Sequence, residues 1–430
     1  MSDTLRVGLA GVGTVGAGVL KILATNGGLI ATRCGRPVAV TAVSARDRTK
    51  DRGVDLSGVA WEDDPRALAV RDDVDVVVEV MGGANGAALE TVEAALGAGK
   101  DVVTANKALI ATHGTRLATL AEDRGLALAF EAAVAGGIPV IKALKEGLAA
   151  NRIDRVYGIL NGTCNYILSD METSGRAFEL VLREAQALGY AEADPTFDVG
   201  GIDTAHKLAI LAAVAFGMPV NFDAVHVEGI GQISAEDIAF ARELGYRIKL
   251  LGMARRRGDG VDQRVHPCMV PLGAPIADVD GVENAVVTEG DAVGRTILVG
   301  RGAGEGPTAS AVVADIVDIA RGLHLPVFGQ PVGTLSDVAP IDIAERVGVY
   351  YLRLTVVDKP GVMAAITTTL ARHEVSIDQM IQRGRAPGAA VPVVIVTHET
   401  REAEMQAALA EISAFDTVRE APHLIRVVGS

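Results

Sequence analysis

Acids, glycines and one lysine crowd together between residues 189 and 207, in Gly189-Tyr190-Ala191-Glu192-Ala193-Asp194-Pro195-Thr196-Phe197-Asp198-Val199-Gly200-Gly201-Ile202-Asp203-Thr204-Ala205-His206-Lys207. Asp203 and Lys207 are four apart and so share one face of a helix, and the apolar run Leu208 to Val214 carries that helix towards a core. An acid and a lysine at this spacing are, by themselves, an ordinary surface pair. The tight backbone implied by Pro195 and Gly200-Gly201, with further carboxylates at Glu192 and Asp198, points instead to a site. A desolvated lysine there can pass a proton to an oxygen that gains negative charge, while fixed acids hold a cationic substrate group. His206 points elsewhere and reads as structural. Cys164 has no histidine beside it and is not taken as a nucleophile.

A second group of residues suits a cofactor. Gly11-Val12-Gly13-Thr14-Val15-Gly16 follows the strand pattern Leu5 to Ala10 and opens a helical pattern, the setting the dinucleotide fingerprint requires. In that setting the first glycine allows the turn, the second lets backbone approach the pyrophosphate, and the third permits close helix packing. The next strand ends at Val43-Ser44 and continues Ala45-Arg46-Asp47-Arg48, with no acid at its tip for a ribose 2′-hydroxyl. Ser44 and Arg46 therefore favour NADP over NAD, against the alternative that Arg46, Arg48 and Lys50 only solvate a loop. Met81-Gly82-Gly83 and Thr104-Ala105-Asn106-Lys107 close the following two strands on the edge where such sheets take ligands. Lys107 is a candidate because a cation at a helix start is unfavourable unless an anion joins it.

These loops need a parallel sheet behind them. Leu5 to Ala10, Val38 to Ser44, Val74 to Val80, Asp101 to Thr104 and Leu126 to Glu131 alternate with helical patterns, and the continuous β-branched runs suit strands covered on both faces. An α/β fold follows, with a doubly wound Rossmann-like sheet over 1–135. Over 136–325 helical patterns precede strand patterns, indicating an α+β substrate and dimerisation domain. Its last helix, over 308–325, is free to pack back on the first domain. Residues 326–347, rich in Gly and Pro, read as a linker. Residues 348–430 read βαββαβ, a ferredoxin-like module in a compact tail.

Composition bounds the function. The 430 residues are 49% hydrophobic and 22% charged with net charge −14, so the chain is folded throughout and attracts neither nucleic acid nor an anionic membrane. Three separated cysteines, Cys34, Cys164 and Cys268, make neither a disulfide framework nor a CxxC metal site. No signal-like start and no uninterrupted membrane-spanning apolar run is read, and the expected compartment is the cytoplasm.

With these motifs in order, Asp198-Val199-Gly200-Gly201-Ile202-Asp203 through Lys207, with Gly189 and Glu192 upstream, resembles the signature of the homoserine dehydrogenase family. The resemblance runs over about residues 5 to 325 and includes Glu131 to Pro139, Asn161-Gly162-Thr163-Cys164-Asn165-Tyr166, and Gly302-Ala303-Gly304 through Ser310. Cys164 departs from the family's usual threonine. The resemblance implies reversible NAD(P)H-dependent reduction of L-aspartate 4-semialdehyde to L-homoserine, on the route to threonine, isoleucine and methionine. It further implies Lys207 as proton donor, Glu192 and Asp203 as substrate-binding acids, and Lys107 in substrate and cofactor positioning. Gly189 and Gly304 line the cofactor, and a monovalent cation, usually sodium, sits at Glu131, Val134, Gly136 and Ile138.

The tail, with Val356-Val357-Asp358-Lys359-Pro360-Gly361-Val362 and Ser376-Ile377 through Gln382, resembles an ACT domain. That resemblance implies an amino-acid effector, threonine first, or a dimerisation module without ligand, in a homo-oligomer that is a dimer or a tetramer. The short lead before the first strand and the absence of a kinase-sized segment after the tail count against a fusion with aspartate kinase. Two other readings stay open. Another NAD(P)-dependent dehydrogenase would turn over other alcohols, and a non-catalytic amino-acid or redox sensor would tolerate loss of Lys207.

Overall fold

The β-branched runs at the start of the chain form a parallel sheet. In this computed structural model, which describes residues 4–383 and 386–429, the strands are β1 (Leu5–Ala10), β2 (Val38–Ser44), β3 (Ala60–Glu62), β4 (Val76–Glu79), β5 (Asp101–Thr104) and β6 (Leu128–Ala129). All are parallel, in the order β3-β2-β1-β4-β5-β6. The principal crossover helices are α1 (Thr14–Cys34), α2 (Ala87–Gly97) and α3 (Lys107–Glu122). Strand order reverses between β1 and β4, so the carboxyl ends of these two open a crevice, the position at which doubly wound sheets bind ligands.

By length and composition α1, 21 residues long with a mean hydropathy of 1.3, could cross a bilayer. Its glycine and alanine face is instead held inside the fold: a Cβ on Gly18 would lie 2.9 Å from the Cβ of Ala309, so only glycine lets α1 pack against the helix Glu305–Ala320. That helix therefore contributes Ala309, Val312 and Ile316 to the core beneath β1, although 175 residues of chain separate it from β6.

The middle of the chain begins with α4 (Val140–Lys142), which passes into a π-helical turn, and β7 (Ile153–Ile159). The sequence reading passed over β7 and put helices first, yet β7 is central, paired antiparallel on both sides. It is followed by α5 (Gly162–Ser174), α6 (Phe178–Ala187), α7 (Thr196–Val199), α8 (Ile202–Phe216), β8 (His226–Val227), α9 (Ala235–Glu243), β9 (Tyr246–Arg257), β10 (Gly260–Pro271), β11 (Glu283–Gly290), β12 (Gly294–Arg301) and α10 (Glu305–Ala320). Helix α8 is buried along nearly its whole length, which explains why its apolar residues run all round rather than along one stripe.

The stretch read as a linker is packed, with Val327 and Phe328 each 1% exposed and the Phe328 ring 5.8 Å from that of Phe130. Beyond it, β13 (Ala339–Pro340) pairs with β10, and β14 (Val347–Gly348) leads to β15 (Tyr350–Val357), α11 (Val362–Arg372), β16 (Ile377–Gln382), β17 (Ala390–Thr397), β18 (Thr400–Arg401), α12 (Glu402–Ser413) and β19 (His423–Val427). The order β19-β15-β17-β16 is that of a ferredoxin-like sheet. This sheet is not a separate tail: β19 pairs in parallel with β10 through Cys268 opposite Arg426 and Met269 opposite Val427, so both sheets join in one.

Arg426 secures that seam. Its guanidinium is 3% exposed and donates to both carboxylate oxygens of Glu228 (2.7 and 2.8 Å) and of Glu402 (2.7 and 2.9 Å). Burial opposes the charge of Glu402, but the Arg426 contact overrides it and holds the carboxyl below its usual range. Removing one partner of such a contact leaves buried charge without compensation. Arg426→Met is expected to lower stability by about 3 kcal/mol in urea unfolding, the low end of the range because Glu228 is partly in water. A loss indistinguishable from zero would mean the contact does not hold the sheets together.

Candidate active site

The glycine loop is built by close approaches. Gly11 has φ of 105° and its amide donates to the Ser44 carbonyl at 2.8 Å, tying the loop to the end of β2. A Cβ on Gly16 would sit 2.1 Å from the Gly11 carbonyl oxygen, so the third glycine is demanded by the protein itself. Gly13 differs: a Cβ there would meet nothing within 4 Å. Open space over Gly13, at the start of α1 with the early amides around Thr14 and Val15, is what an approaching pyrophosphate needs.

The opposite wall of the crevice is set by Glu79, a residue the sequence reading missed. Glu79 is fully buried at the end of β4 and accepts from Thr104 Oγ1 at 2.6 Å, from the Met81 amide at 2.7 Å and from the Gly82 amide at 3.3 Å. One carboxylate thus locks the Met81-Gly82-Gly83 turn to β5. Asn106 continues the chain of contacts, capping α3 through the Leu109 amide (3.1 Å) and donating to the Gly83 carbonyl (2.7 Å). The only sequence signal for Glu79 was an acid closing a run of valines just before two glycines.

At the tip of β2, Ser44 is buried and Arg46 exposed. Arg52, also missed, donates from Nε to the Val12 carbonyl inside the glycine loop at 2.8 Å. The guanidiniums of Arg48 and Arg52 lie 5.7 and 5.5 Å from the centre of the Trp61 ring. Trp61 therefore gathers cations beside the end of β2, where a dinucleotide's adenosine ribose lies in this fold. The residues present fit a nicotinamide dinucleotide.

The acid and lysine of α8 meet Lys107 at a common point. Asp203, 3% exposed, accepts from Lys207 Nζ (2.7 Å) and Asn161 Nδ2 (2.8 Å) on Oδ2, while Lys107 Nζ lies 3.0 Å from Oδ1. Lys207 Nζ also donates to the Leu160 carbonyl at 2.7 Å. Burial would raise the Asp203 carboxyl, but Lys207 and Lys107 outweigh it and keep the group ionised far below the usual carboxylate range. Burial likewise opposes the Lys107 ammonium, and Asp203 overrides it with help from Asp198 and Glu192, so the Lys107 value is raised. Asp198 behaves oppositely: burial and the charge of Asp203 raise it, though Asn161 Nδ2 donates to its Oδ1 at 2.7 Å. Asn161, missed as a functional residue, aligns both acids and caps α5 through the Cys164 amide. Cys164 is fully buried with its thiol pushed up by burial, in agreement with its inert reading.

Glu192 lies exposed in the loop after α6 and is not drawn into this cluster by direct contact; it influences Lys107 through charge alone. Gly189, with φ of 76°, makes the turn that begins that loop, and Gly304, with φ of 116°, begins α10. His206 packs against Phe197 and Phe222, at 5.5 and 4.4 Å between ring centres, as a structural residue does.

The Glu131 segment is irregular for reasons visible in its backbone. The Glu131 carboxylate accepts from the Ile141 and Lys142 amides at 3.0 and 2.7 Å, so it caps α4. Burial and the neighbouring Asp315 push that carboxyl up to about 7. Ala135 has φ of 55°, rare for a residue with a Cβ, and Gly136 follows at 50°. A Cβ on Gly136 would lie 2.4 Å from the Gly302 carbonyl oxygen, so the turn packs directly on the loop leading to Gly304. Among the described residues no cluster of three His, Cys, Asp or Glu side chains could hold a metal.

A dinucleotide loop on the carboxyl edge of a doubly wound sheet, with Lys107 of that edge and Lys207 of α8 held on one buried carboxylate, fits an NAD(P)-dependent oxidoreductase acting on a CH-OH group. Residues 11–131 match the NAD binding domain of homoserine dehydrogenase, residues 139–317 the homoserine dehydrogenase domain, and residues 350–416 the ACT domain. A homoserine dehydrogenase from Neisseria gonorrhoeae is 48% identical over 432 residues, covering 98% of each chain. The crystal structure of a homoserine dehydrogenase from Thiobacillus denitrificans superposes with a TM-score of 0.94 at 46% identity, covering 99% of this chain and 98% of that one. A hyperthermophilic archaeal homoserine dehydrogenase in complex with NADPH matches over 75% of this chain and 99% of its own, at 27% identity and a TM-score of 0.64. The chain belongs to the homoserine dehydrogenase family.

Lys207→Met removes the proton-bearing group while keeping the length of the side chain. It is expected to lower kcat for homoserine oxidation by about 10²- to 10⁴-fold, the usual weight of general acid-base catalysis, with cofactor affinity unchanged in a fluorescence titration. Full turnover in a folded Lys207→Met protein would remove Lys207 from the chemistry.

Proposed function

We propose that this enzyme interconverts L-aspartate 4-semialdehyde and L-homoserine with Lys207 as the proton-transfer residue, and that it prefers NADP. The observation that carries this reading is the Lys207 ammonium held between the Asp203 carboxylate and the Leu160 carbonyl, with Lys107 on the far oxygen of the same carboxylate. When bound, the nicotinamide supplies the hydride that adds to the aldehyde carbon. The carbonyl π electrons move to oxygen, and Lys207 Nζ–H gives that oxygen its proton as the hydroxyl forms; oxidation runs the same transfers in reverse. Asp203 fixes the direction of the Lys207 ammonium and has its own charge satisfied in doing so. Glu192, exposed and free of side-chain hydrogen bonds, is the acid available to the substrate's α-ammonium, and Lys107 stands where the α-carboxylate can join it.

The NADP preference draws on Arg46 and Arg48 beside Ser44, with Arg52 bridging to the glycine loop. The carbonyls of Glu131, Val134, Gly136 and Ile138 hold a monovalent cation, sodium first, for which the strained Ala135-Gly136 turn is the supporting feature. Threonine is the effector of the ACT domain, its carboxylate at the amides following Gly361, where φ of 92° opens α11. The enzyme acts as a homo-oligomer, dimer or tetramer, in the cytoplasm. Strand β16 lends support to assembly, being paired among the described residues only with β17 and exposed along most of its length.

Steady-state kinetics with both cofactors, with and without threonine, test these points together. Arg46→Glu is expected to raise KM for NADP by about tenfold through loss of one charge-assisted phosphate contact, and to leave KM for NAD unchanged. Equal effects on both cofactors would remove Arg46 from phosphate recognition. Threonine is expected to reduce homoserine turnover and raise the melting temperature; no change in either would sink the effector assignment.

A further inference from the structure

On the side of the joined sheet near the β10–β19 seam lies a cavity of about 440 Å³ that the dehydrogenase chemistry does not use. One wall comes from β7, β9 and β10, the other from the chain around Gly348 and the end of β19. Its charge is lopsided. Arg155, Arg255, Arg257, Arg264, Arg295 and Arg346 all line it, against Glu289 and Glu399. Glu289 is taken up by Arg295 at 3.2 Å and more loosely by Arg155 at 3.9 Å, and Arg264 pairs with Asp262 behind the wall. Arg255, Arg257 and Arg346 have no carboxylate partner among the described residues, and His266 is kept neutral because burial and the charge of Arg426 push it well below its ordinary value.

Two features make this more than a solvated basic surface. Arg155 and Arg255 are direct cross-strand partners between β7 and β9, an arrangement of like charges that destabilises a sheet unless an anion bridges them. Arg264 and Arg346 are 8% and 6% exposed, and Arg264 Nε and Arg346 Nη1 are buried without a hydrogen-bond acceptor. Burying guanidinium donors unsatisfied is costly, so a chain that does it twice in one cavity has left room for an acceptor.

We propose that this cavity is a binding site for a small multivalent oxyanion of the phosphate class, free phosphate or a phosphate monoester, which joins the middle of the chain to the C-terminal sheet. Planar guanidinium forks match phosphate oxygens two at a time, and the volume suits a small ligand rather than a macromolecule. An anion there neutralises charge contributed by both sheets and so tightens their docking. The electrostatics agree: burial, then repulsion from Arg346, push the Arg264 guanidinium below its ordinary value.

Calorimetric titration of inorganic phosphate into the full chain, at constant ionic strength with NADP bound so that the cofactor's own phosphate contacts are filled, tests the site. Saturable binding and a higher melting temperature are expected. Arg155→Gln and Arg257→Gln, neither in the catalytic cluster, should each weaken binding about tenfold, the loss of one charge-assisted contact, while homoserine turnover in phosphate-free buffer stays unchanged. Glycerol 2-phosphate in place of phosphate separates the two sources, tighter binding marking an ester site and weaker binding a free-phosphate site. Absence of saturable heat, or phosphate affinity unaltered in both variants, overturns the proposal. So does a change of oligomeric mass in the variants with no change in affinity, which would make this face a contact between copies.

Discussion

Asp203 carries a full charge out of contact with water, and that charge has to be balanced from inside the protein. Two ammonium groups and one amide do so, and they come from three places: Lys207 one turn along the same helix, Lys107 at the head of α3 in the nucleotide-binding part, and Asn161 between β7 and α5. Desolvation of this size would be ruinous for a lone acid, so the position of each partner is enforced by the cost of losing it. The crevice between the two halves of the enzyme is therefore bridged by charge at Asp203. Lys207 is held by fixed acceptors on two sides, the Asp203 carboxylate and the Leu160 carbonyl.

Other buried acids use the same logic for structure. Glu79 ties the ends of β4 and β5 together and so positions Lys107 through Thr104 and Asn106. Glu131 caps α4 through the Ile141 and Lys142 amides. Glu402 and Glu228 share Arg426 across the seam of the two sheets. In each case a carboxylate satisfies backbone amides or a guanidinium that strand pairing leaves over. The chain spends its buried charge on joints between elements, and the arginine-lined cavity is the place where positive charge is left in excess.

Much of the architecture was legible because it is local. The glycine loop, the β-branched parallel strands and the βαββαβ tail each follow from periodicity and from what glycine permits. Where the reading slipped, long-range pairing decided the outcome. Strand β7 carries Asp154, Arg155 and Gly158 among its apolar residues and does not look like a strand until β9 and β11 flank it. Residues 326–347 have a linker's composition, yet Val327 and Phe328 are buried because partners distant in the chain cover them.

By itself the sequence determined which residues are candidates: a lysine one helical turn from an acid, a glycine loop at a strand end, and arginines after a strand with no acid at its tip. Those properties belong to side-chain chemistry and to short-range geometry, which the order of residues dictates. Only the tertiary structure decided that Lys107 and Lys207 share one carboxylate, that Asn161 and Glu79 belong to the site's framework, and that the last strand completes a sheet begun more than 250 residues earlier. Burial and pairing between remote segments set the energies of those contacts, and neither is a property of any segment taken alone.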